Sequence, residues 1–182
     1  MLFRSGYLGS PYRVARVFGA AVPERVPDTR TGRALKLRLR GDVGSDAVRQ
    51  AVHGDLHLYR DNWAIRAVTI EAGYTRHVGD AWLGDVFMRW NHQSKALFYS
   101  DNASAETTYV SRNRQLGTFS DASLGGRVGY QVGGAARAYD LHLNASLEVV
   151  RFNYADFTDL RTGRPYSYAA NVLQLYATAT FY

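Results

Sequence analysis

The chain has 182 residues, no cysteine and a formal net charge of +6 at pH 7, and its positive charge is almost all arginine. That length fits one domain with its own core, and a hydrophobic content of 46% is too high for a disordered chain. The lack of cysteine excludes disulfides, cysteine-bound zinc and thiol catalysis, and no apolar run is long enough for a transmembrane helix.

Apolar residues recur at every second position, which indicates β-strands rather than helices. In Ala34–Arg40, for example, three leucines alternate with Lys36, Arg38 and Arg40. Glycines inside these segments would each cost a helix about 1 kcal/mol. We therefore predict seven long antiparallel strands, which cover residues 34–40, 52–59, 68–75, 82–91, 123–132, 140–149 and 171–182.

The predicted connections alternate in length along the chain. Tight turns are expected at Gly44–Asp46, His77–Asp80 and Gly133–Ala136. The opposite end carries the short Arg60–Trp63 connection and long loops at Gly6–Gly32, Phe98–Thr118 and Ala155–Tyr168. Such asymmetry, with the C-terminus beside the tight turns, is typical of bacterial outer-membrane barrels. We predict one domain over residues 1–182, with a long loop region at 1–32 and strands over 33–182.

A soluble β-sandwich is the alternative, but three features favour a membrane barrel. The strands are longer than those of ordinary sandwiches and match a bilayer crossing. Aromatic residues lie near strand ends on the apolar face, as in interfacial girdles: Tyr74, Trp82, Trp90, Tyr139 and Phe181.

The third feature is the charge on the polar face of the strands. Unpaired charges in a dry sandwich core would each cost several kcal/mol, whereas a wet lumen or a solvent-exposed sheet face accepts them. The candidate lumen residues are Arg38, Arg40, His53, Asp55, His57, Glu71, Asp85, Arg89, Asp140 and Glu148. The predicted fold class is thus all-β, an antiparallel transmembrane β-barrel of about seven or eight long amphipathic strands.

Several motifs resemble a family of outer-membrane β-barrels filed as domain-of-unknown-function 3570. The most specific is Tyr59-Arg60-Asp61-Asn62-Trp63-Ala64-Ile65. The others are Gly6-Tyr7-Leu8, Pro11-Tyr12-Arg13, Pro27-Asp28-x-Arg30, Trp90–Tyr99, and Arg114-x-Leu116-Gly117-x-Phe119 followed by Leu124-Gly125. The resemblance implies a barrel in the outer membrane of a Gram-negative bacterium, and it brings no catalytic, cofactor or ligand residues.

Members of that family are about twice as long and begin with a signal peptide, which Met1–Gly6 does not resemble. We therefore expect the chain to be the C-terminal part of a larger barrel, truncated at its N-terminus and opening at the end of an earlier strand. The alternative is that Tyr12–Ala20 supplies an eighth strand and closes a small barrel. Seven strands would leave an unpaired edge, which a membrane does not tolerate.

The expected partners are outer-membrane lipid, lipopolysaccharide and the barrel-insertion machinery. That machinery reads a terminal aromatic residue with apolar residues alternating back from it. Tyr182 supplies the aromatic residue, but the apolar row belongs to Phe181, so the signal is shifted by one position. No Gly-rich phosphate loop or aromatic-basic signature predicts nucleic-acid binding.

Two sets of polar residues raise the question of metal binding or catalysis. His53, Asp55 and His57 share one strand face, but a single ion cannot reach ligands about 13 Å apart. His142 and Ser146 are equally far apart, so they cannot form a nucleophile–base pair directly. We predict no metal site, no cofactor and no enzyme. Acidic residues of the predicted outer loops could bind calcium or bridge to lipopolysaccharide: Asp101, Glu106, Asp156 and Asp159.

Three functions remain open on the sequence alone. The first is a pore or conduit with a polar, mixed-charge lumen and weak charge selectivity. The second is a structural or docking barrel that holds a partner through its long loops, and whose interior is filled by large residues such as Phe87, Phe152 and Tyr176. The third is an outer-membrane hydrolase built from residues of different strands.

Overall fold

The structure is a computed structural model that describes residues 2–6, 13–45, 48–132 and 139–181. Its ten strands are β1 (Leu2–Gly6), β2 (Val14–Val17), β3 (Ala20–Pro23), β4 (Thr29–Asp42), β5 (Gln50–Asp61), β6 (Arg66–Val78), β7 (Trp82–Gln93), β8 (Phe119–Val132), β9 (Tyr139–Asp159) and β10 (Arg164–Phe181). One 3₁₀ turn, Arg114–Leu116, precedes β8. No helix in the described residues is long and apolar enough to cross a membrane.

Eight strands form one antiparallel sheet in the order β1-β4-β5-β6-β7-β8-β9-β10. Strands β4 to β10 are the seven predicted strands, so the prediction of an all-β, antiparallel chain is confirmed. Most neighbours follow each other in sequence, as expected of strands joined by hairpins. The turn predicted at Gly133–Ala136 and the terminal residue Tyr182 lie outside the described residues.

The alternative eighth strand over Tyr12–Ala20 is wrong. Within that segment β2 pairs with β3 in a separate two-stranded hairpin, and the eighth strand of the large sheet is β1. The chain reverses because Phe18 and Gly19 both have positive φ angles, of 49° and 84°, which suit a two-residue hairpin turn.

The long loop predicted at Ala155–Tyr168 is also wrong, because β9 and β10 continue almost to the tip of their hairpin. Stacked and edge-on aromatic rings support this extension, with ring centroids 4.8 Å apart for Phe152 and Tyr168 and 5.8 Å for Phe157 and Tyr166. Such cross-strand aromatic pairs stabilise a sheet. The connection itself is a tight turn that ends at Gly163, whose φ is +68°.

The remaining long connections fold together into a unit that we call the loop cap, formed by residues 13–26 and 94–118. Two small apolar cores hold it. In one, Ala15 and Val17 of the hairpin pack with Val110. In the other, Tyr99 and Leu116 pack with residues of the β5–β6 turn: Trp63 and Ile65.

Asp61 connects this core to the sheet. One carboxylate oxygen accepts the backbone N–H groups of Trp63 and Ile65, at 3.0 and 2.9 Å, and so closes the β5–β6 turn. The other oxygen accepts from the guanidinium of Arg30, at 2.7 and 2.6 Å, and from the Tyr59 hydroxyl at 3.1 Å. The Arg30 guanidinium also lies 4.9 Å from the centre of the Trp63 ring. The Asp61 side chain is fully buried, and these partners offset the free-energy cost of burying a carboxylate.

We expect the substitution Asp61→Asn to lower the free energy of unfolding by roughly 3 kcal/mol, because the amide can close the turn but turns a donor towards Arg30. Unfolding by urea in detergent, followed by tryptophan fluorescence, measures the change. The matched control is Asp80→Asn, since Asp80 is fully exposed and its ion pair with Arg49 spans 3.7 Å. Equal urea midpoints for the two variants would contradict the role given to Asp61.

Candidate functional site

The strand registers bring charged residues of six strands, β4 to β9, to one surface, which we call the polar face. Arg38, Asp55, Glu71 and Arg89 are direct neighbours in one row across β4 to β7. The order along the row is basic, acidic, acidic, basic. Arg38 therefore attracts Asp55, and Arg89 attracts Glu71.

Ion pairs connect the polar face both along this row and beyond it. The Asp55 carboxylate lies between Lys36, at 3.3 Å, and Arg38, at 2.9 Å. Arg89 contacts Glu71 at 2.8 Å and Glu148 at 3.5 Å. Since β8 lies between the strands of Arg89 and Glu148, the second contact passes over a whole strand.

His53 forms a second contact across an intervening strand. Its two ring nitrogens lie 3.9 Å from Glu71 and 3.8 Å from Asp85, and the ring covers Gly73 of β6. A Cβ at Gly73 would come within 2.3 Å of the imidazole, so only glycine leaves room for this arrangement. Asp85 also accepts a hydrogen bond of 2.7 Å from the Thr75 hydroxyl.

Phe87 fills part of the polar face. Its ring lies 4.4 Å from the Arg127 guanidinium and 5.7 Å from that of Arg89, and only 4% of the residue is exposed. The ring covers Gly125 of β8, where a Cβ would approach within 2.3 Å. Glycines at 73 and 125 therefore make space for side chains of neighbouring strands.

A polar cavity of about 460 Å³ runs along this face. It is lined by residues from β4 through to β10, so that Lys36 and Tyr176 line the same space although their strands are at opposite sides of the sheet. The sheet is therefore strongly curved with its charges on the inside. The acidic side chains of Asp55, Glu71 and Asp85 are only 12–18% exposed.

The opposite face is apolar and open. Leu37, Leu39 and Leu175 are 52%, 77% and 72% exposed, far more than the acids of the polar face. Large aromatic residues pair near the tight-turn end, with ring centroids 4.6 Å apart for Trp82 and Tyr130 and 6.2 Å for Tyr139 and Phe181. The apolar face thus exposes its leucines, while the acidic side chains of the polar face are largely shielded.

The structure distributes the ten predicted residues unequally. The cavity lining includes seven of them: Arg38, Arg40, His53, Asp55, Glu71, Asp85 and Arg89. Glu148 joins through its ion pair with Arg89, whereas His57 and Asp140 share the face without lining the cavity. Their assignment to a lumen stays a prediction.

Two basic residues of the cavity were missed. Lys36 and Arg127 both occupy inward-facing positions of their alternating strands, and the Arg127 guanidinium lies 3.7 Å from the Asp85 carboxylate. The position of Lys36 between Leu35 and Leu37 was a sufficient signal in the sequence.

The other candidate sites are not assembled. In the described part of the chain no three His, Asp or Glu side chains converge as metal ligands. Ser146 donates to Gln174 at 3.3 Å instead of meeting a histidine. The acidic loop residues have separate partners, with Asp101 bound to Arg112, Glu106 close to Arg25, Asp156 bound to the backbone of Thr118, and Asp159 bound to Arg161.

The loop cap is anchored to the inside of the sheet at its long-loop end. The side chain of Gln93 donates to the backbone carbonyls of Gln115 and Gly117, at 2.9 and 3.3 Å. The Tyr99 hydroxyl donates to the Asp156 carbonyl at 3.0 Å. Burial, and then the nearby carboxylates of Asp156 and Asp101, raise the pKa of Tyr99 far above its usual value, so this donor stays protonated at any physiological pH.

We expect Gly125→Ala to destabilise the chain by about 1–3 kcal/mol, because the new methyl group overlaps the Phe87 ring. Gly126→Ala is the control, since its Cβ would meet only one backbone oxygen at an ordinary 3.7 Å. Urea midpoints in detergent give the comparison. Adding Phe87→Leu to Gly125→Ala should recover part of the loss, and a double variant no more stable than Gly125→Ala alone would contradict the packing described here.

One comparison with known proteins gives a match. The model of the family described as "Protein of unknown function (DUF3570)" matches residues 3–151. Curated proteins and solved structures give no match. The matched region contains the Asp61 turn, the loop cap and the polar face of β4 to β8, and the chain belongs to this family.

Proposed function

We propose that the chain is a membrane-spanning β-barrel protein of a bacterial outer membrane, with the polar face lining an aqueous lumen. The observation that carries the proposal is the shielding of carboxylates in a polar cavity on one face and the exposure of leucines on the other. In water a continuous apolar face of this kind would drive aggregation, whereas in a bilayer it is the lipid-facing surface of a barrel.

The dimensions of the apolar face support this proposal. On β7 the outward residues run from Trp82 to Trp90, which is 90 − 82 = 8 positions, or about 27 Å along a strand. A tilt of about 40° reduces this to roughly 20 Å, close to the apolar band of about 25 Å in outer-membrane barrels. Tryptophan at both ends fits the interfacial preference of indole.

A conduit for small hydrophilic solutes is the function that this lumen supports best. The cavity lining holds both signs of charge, with a small excess of basic residues over the acidic Asp55, Glu71 and Asp85. We therefore propose weak charge selectivity that is set by the charged residues at the narrowest level.

A structural or docking barrel is the second candidate. Phe87 and its two arginines occupy part of the interior, and the loop cap is anchored inside the long-loop end. An interior closed in this way would hold a partner through its loops instead of passing a solute.

Conductance across planar bilayers distinguishes the two candidates. We expect the parent chain to conduct, and the double substitution Arg38→Glu and Arg40→Glu to shift the reversal potential in a salt gradient towards the value for cations, because two positive charges of the cavity become negative. Arg76→Glu is the control on the apolar face of β6 and should leave the reversal potential unchanged.

Three results would count against this proposal in different ways. An unchanged reversal potential in the double variant would remove Arg38 and Arg40 from the constriction. If membrane-inserted protein gave no conductance and no solute uptake into liposomes, the conduit would be excluded and the docking barrel favoured. Protein that is extracted from liposomes by urea would overturn the membrane-spanning role itself.

A further inference from the structure

Three arginines lie side by side on the apolar face of the sheet. Arg33 of β4 is the register partner of Arg60 of β5, which is in turn the partner of Arg66 of β6. All three are exposed. They share the parity of the outward aliphatic residues on their strands, so they point away from the charged cavity.

We call these three residues, Arg33, Arg60 and Arg66, the arginine row. In the described ranges of the chain none of the three takes part in an ion pair. The carboxylate of Asp61 is next to Arg60 in sequence, but it is buried and held by Arg30. Like charges directly opposite each other on neighbouring strands repel, so the row is a place where a bound anion would be stabilising.

The residues below the arginine row determine the kind of anion. The next register row towards the tight-turn end, on the same face, is Leu35, Leu58 and Val68, and the row after it is again aliphatic. Leu35 and Leu58 are 54% and 40% exposed. A ligand that satisfies both levels has a negatively charged head beside the arginines and hydrocarbon chains along the aliphatic rows.

We propose that the arginine row binds the phosphate group of an acylated, phosphorylated lipid, with the acyl chains lying on the aliphatic rows beneath. The guanidinium groups present planar pairs of N–H donors that fit phosphate oxygens bidentately. The proposal rests on the membrane-spanning function above. The row lies at the long-loop end of the strands, and long loops of outer-membrane barrels are extracellular, which places it in the outer leaflet. The phosphorylated lipid of that leaflet is the lipid A part of lipopolysaccharide, and this is the occupant that we assign.

The test uses the full chain in detergent micelles and native mass spectrometry with added lipid A. We expect the parent to retain lipid A, and the triple variant Arg33→Gln, Arg60→Gln and Arg66→Gln to bind it at least tenfold more weakly. Arg76→Gln, at the other end of β6 on the same face, is the control and should bind as the parent does. The triple arginine-to-lysine variant keeps the charge without the planar donor pairs and should bind with intermediate affinity.

Several results would overturn the proposal. Equal loss of binding in Arg76→Gln would mean general charge attraction, and equal retention of phosphatidylcholine would mean that the phosphomonoester is not recognised. Inorganic phosphate binding as tightly as lipid A would mean a simple anion site without a role for the acyl chains.

Insertion into liposomes, measured by resistance to urea extraction, separates this proposal from the proposed function. A parent that inserts but does not retain lipid A would leave the barrel intact and remove the lipid site. A parent that does not insert would overturn the barrel. Lipid A binding in micelles would still test whether the arginine row binds the lipid.

Discussion

The arrangement of the sheet depends on the cost of enclosing charge. A carboxylate that is mostly shielded from water is destabilising unless cations or donors surround it, and Asp55, Glu71 and Asp85 each have such partners. These contacts require one register, because a slip by one residue would turn every charge of that strand outwards and every leucine inwards. The polar face therefore specifies the pairing of β4 to β8 as firmly as an apolar core does in a soluble protein.

The long-loop end follows a different physical rule, since there a small apolar core is built around one carboxylate. Asp61 closes the β5–β6 turn and holds Arg30 against Trp63, and this fixes the surface on which Tyr99 and Leu116 of the loop cap pack. The cap is consequently part of the folded structure, and its attachment to Gln93 brings it to the inside of the sheet. In the proposed conduit, the passage of solutes would depend on this attachment as well as on the cavity.

Period-two patterning was enough to predict the seven strands β4 to β10 and their antiparallel arrangement. It did not predict contacts across an intervening strand, such as Arg89 with Glu148, because these depend on curvature and on which residues are glycine. It also predicts a loop at residues 155–168, whereas aromatic contacts extend β9 and β10 into this segment. The cores of the loop cap have no sequence period at all, so Trp63, Tyr99 and Leu116 could be brought together only in three dimensions.

The arginines show why parity and position must be considered together. On β4, Arg38 has the inward parity and its guanidinium reaches Asp55, whereas Arg33 has the outward parity of the leucines. An outward arginine at the middle of the bilayer costs about 2–4 kcal/mol, and near the interface this cost falls to about 0–1 kcal/mol. In the proposed barrel this cost would explain why the outward positions 35, 37 and 39 of β4 are all leucine and why its outward Arg33 lies beyond them. Composition alone treats the two arginines as equal, but Arg38 pairs with a shielded acid, and in the proposed barrel Arg33 would lie beside lipid phosphates.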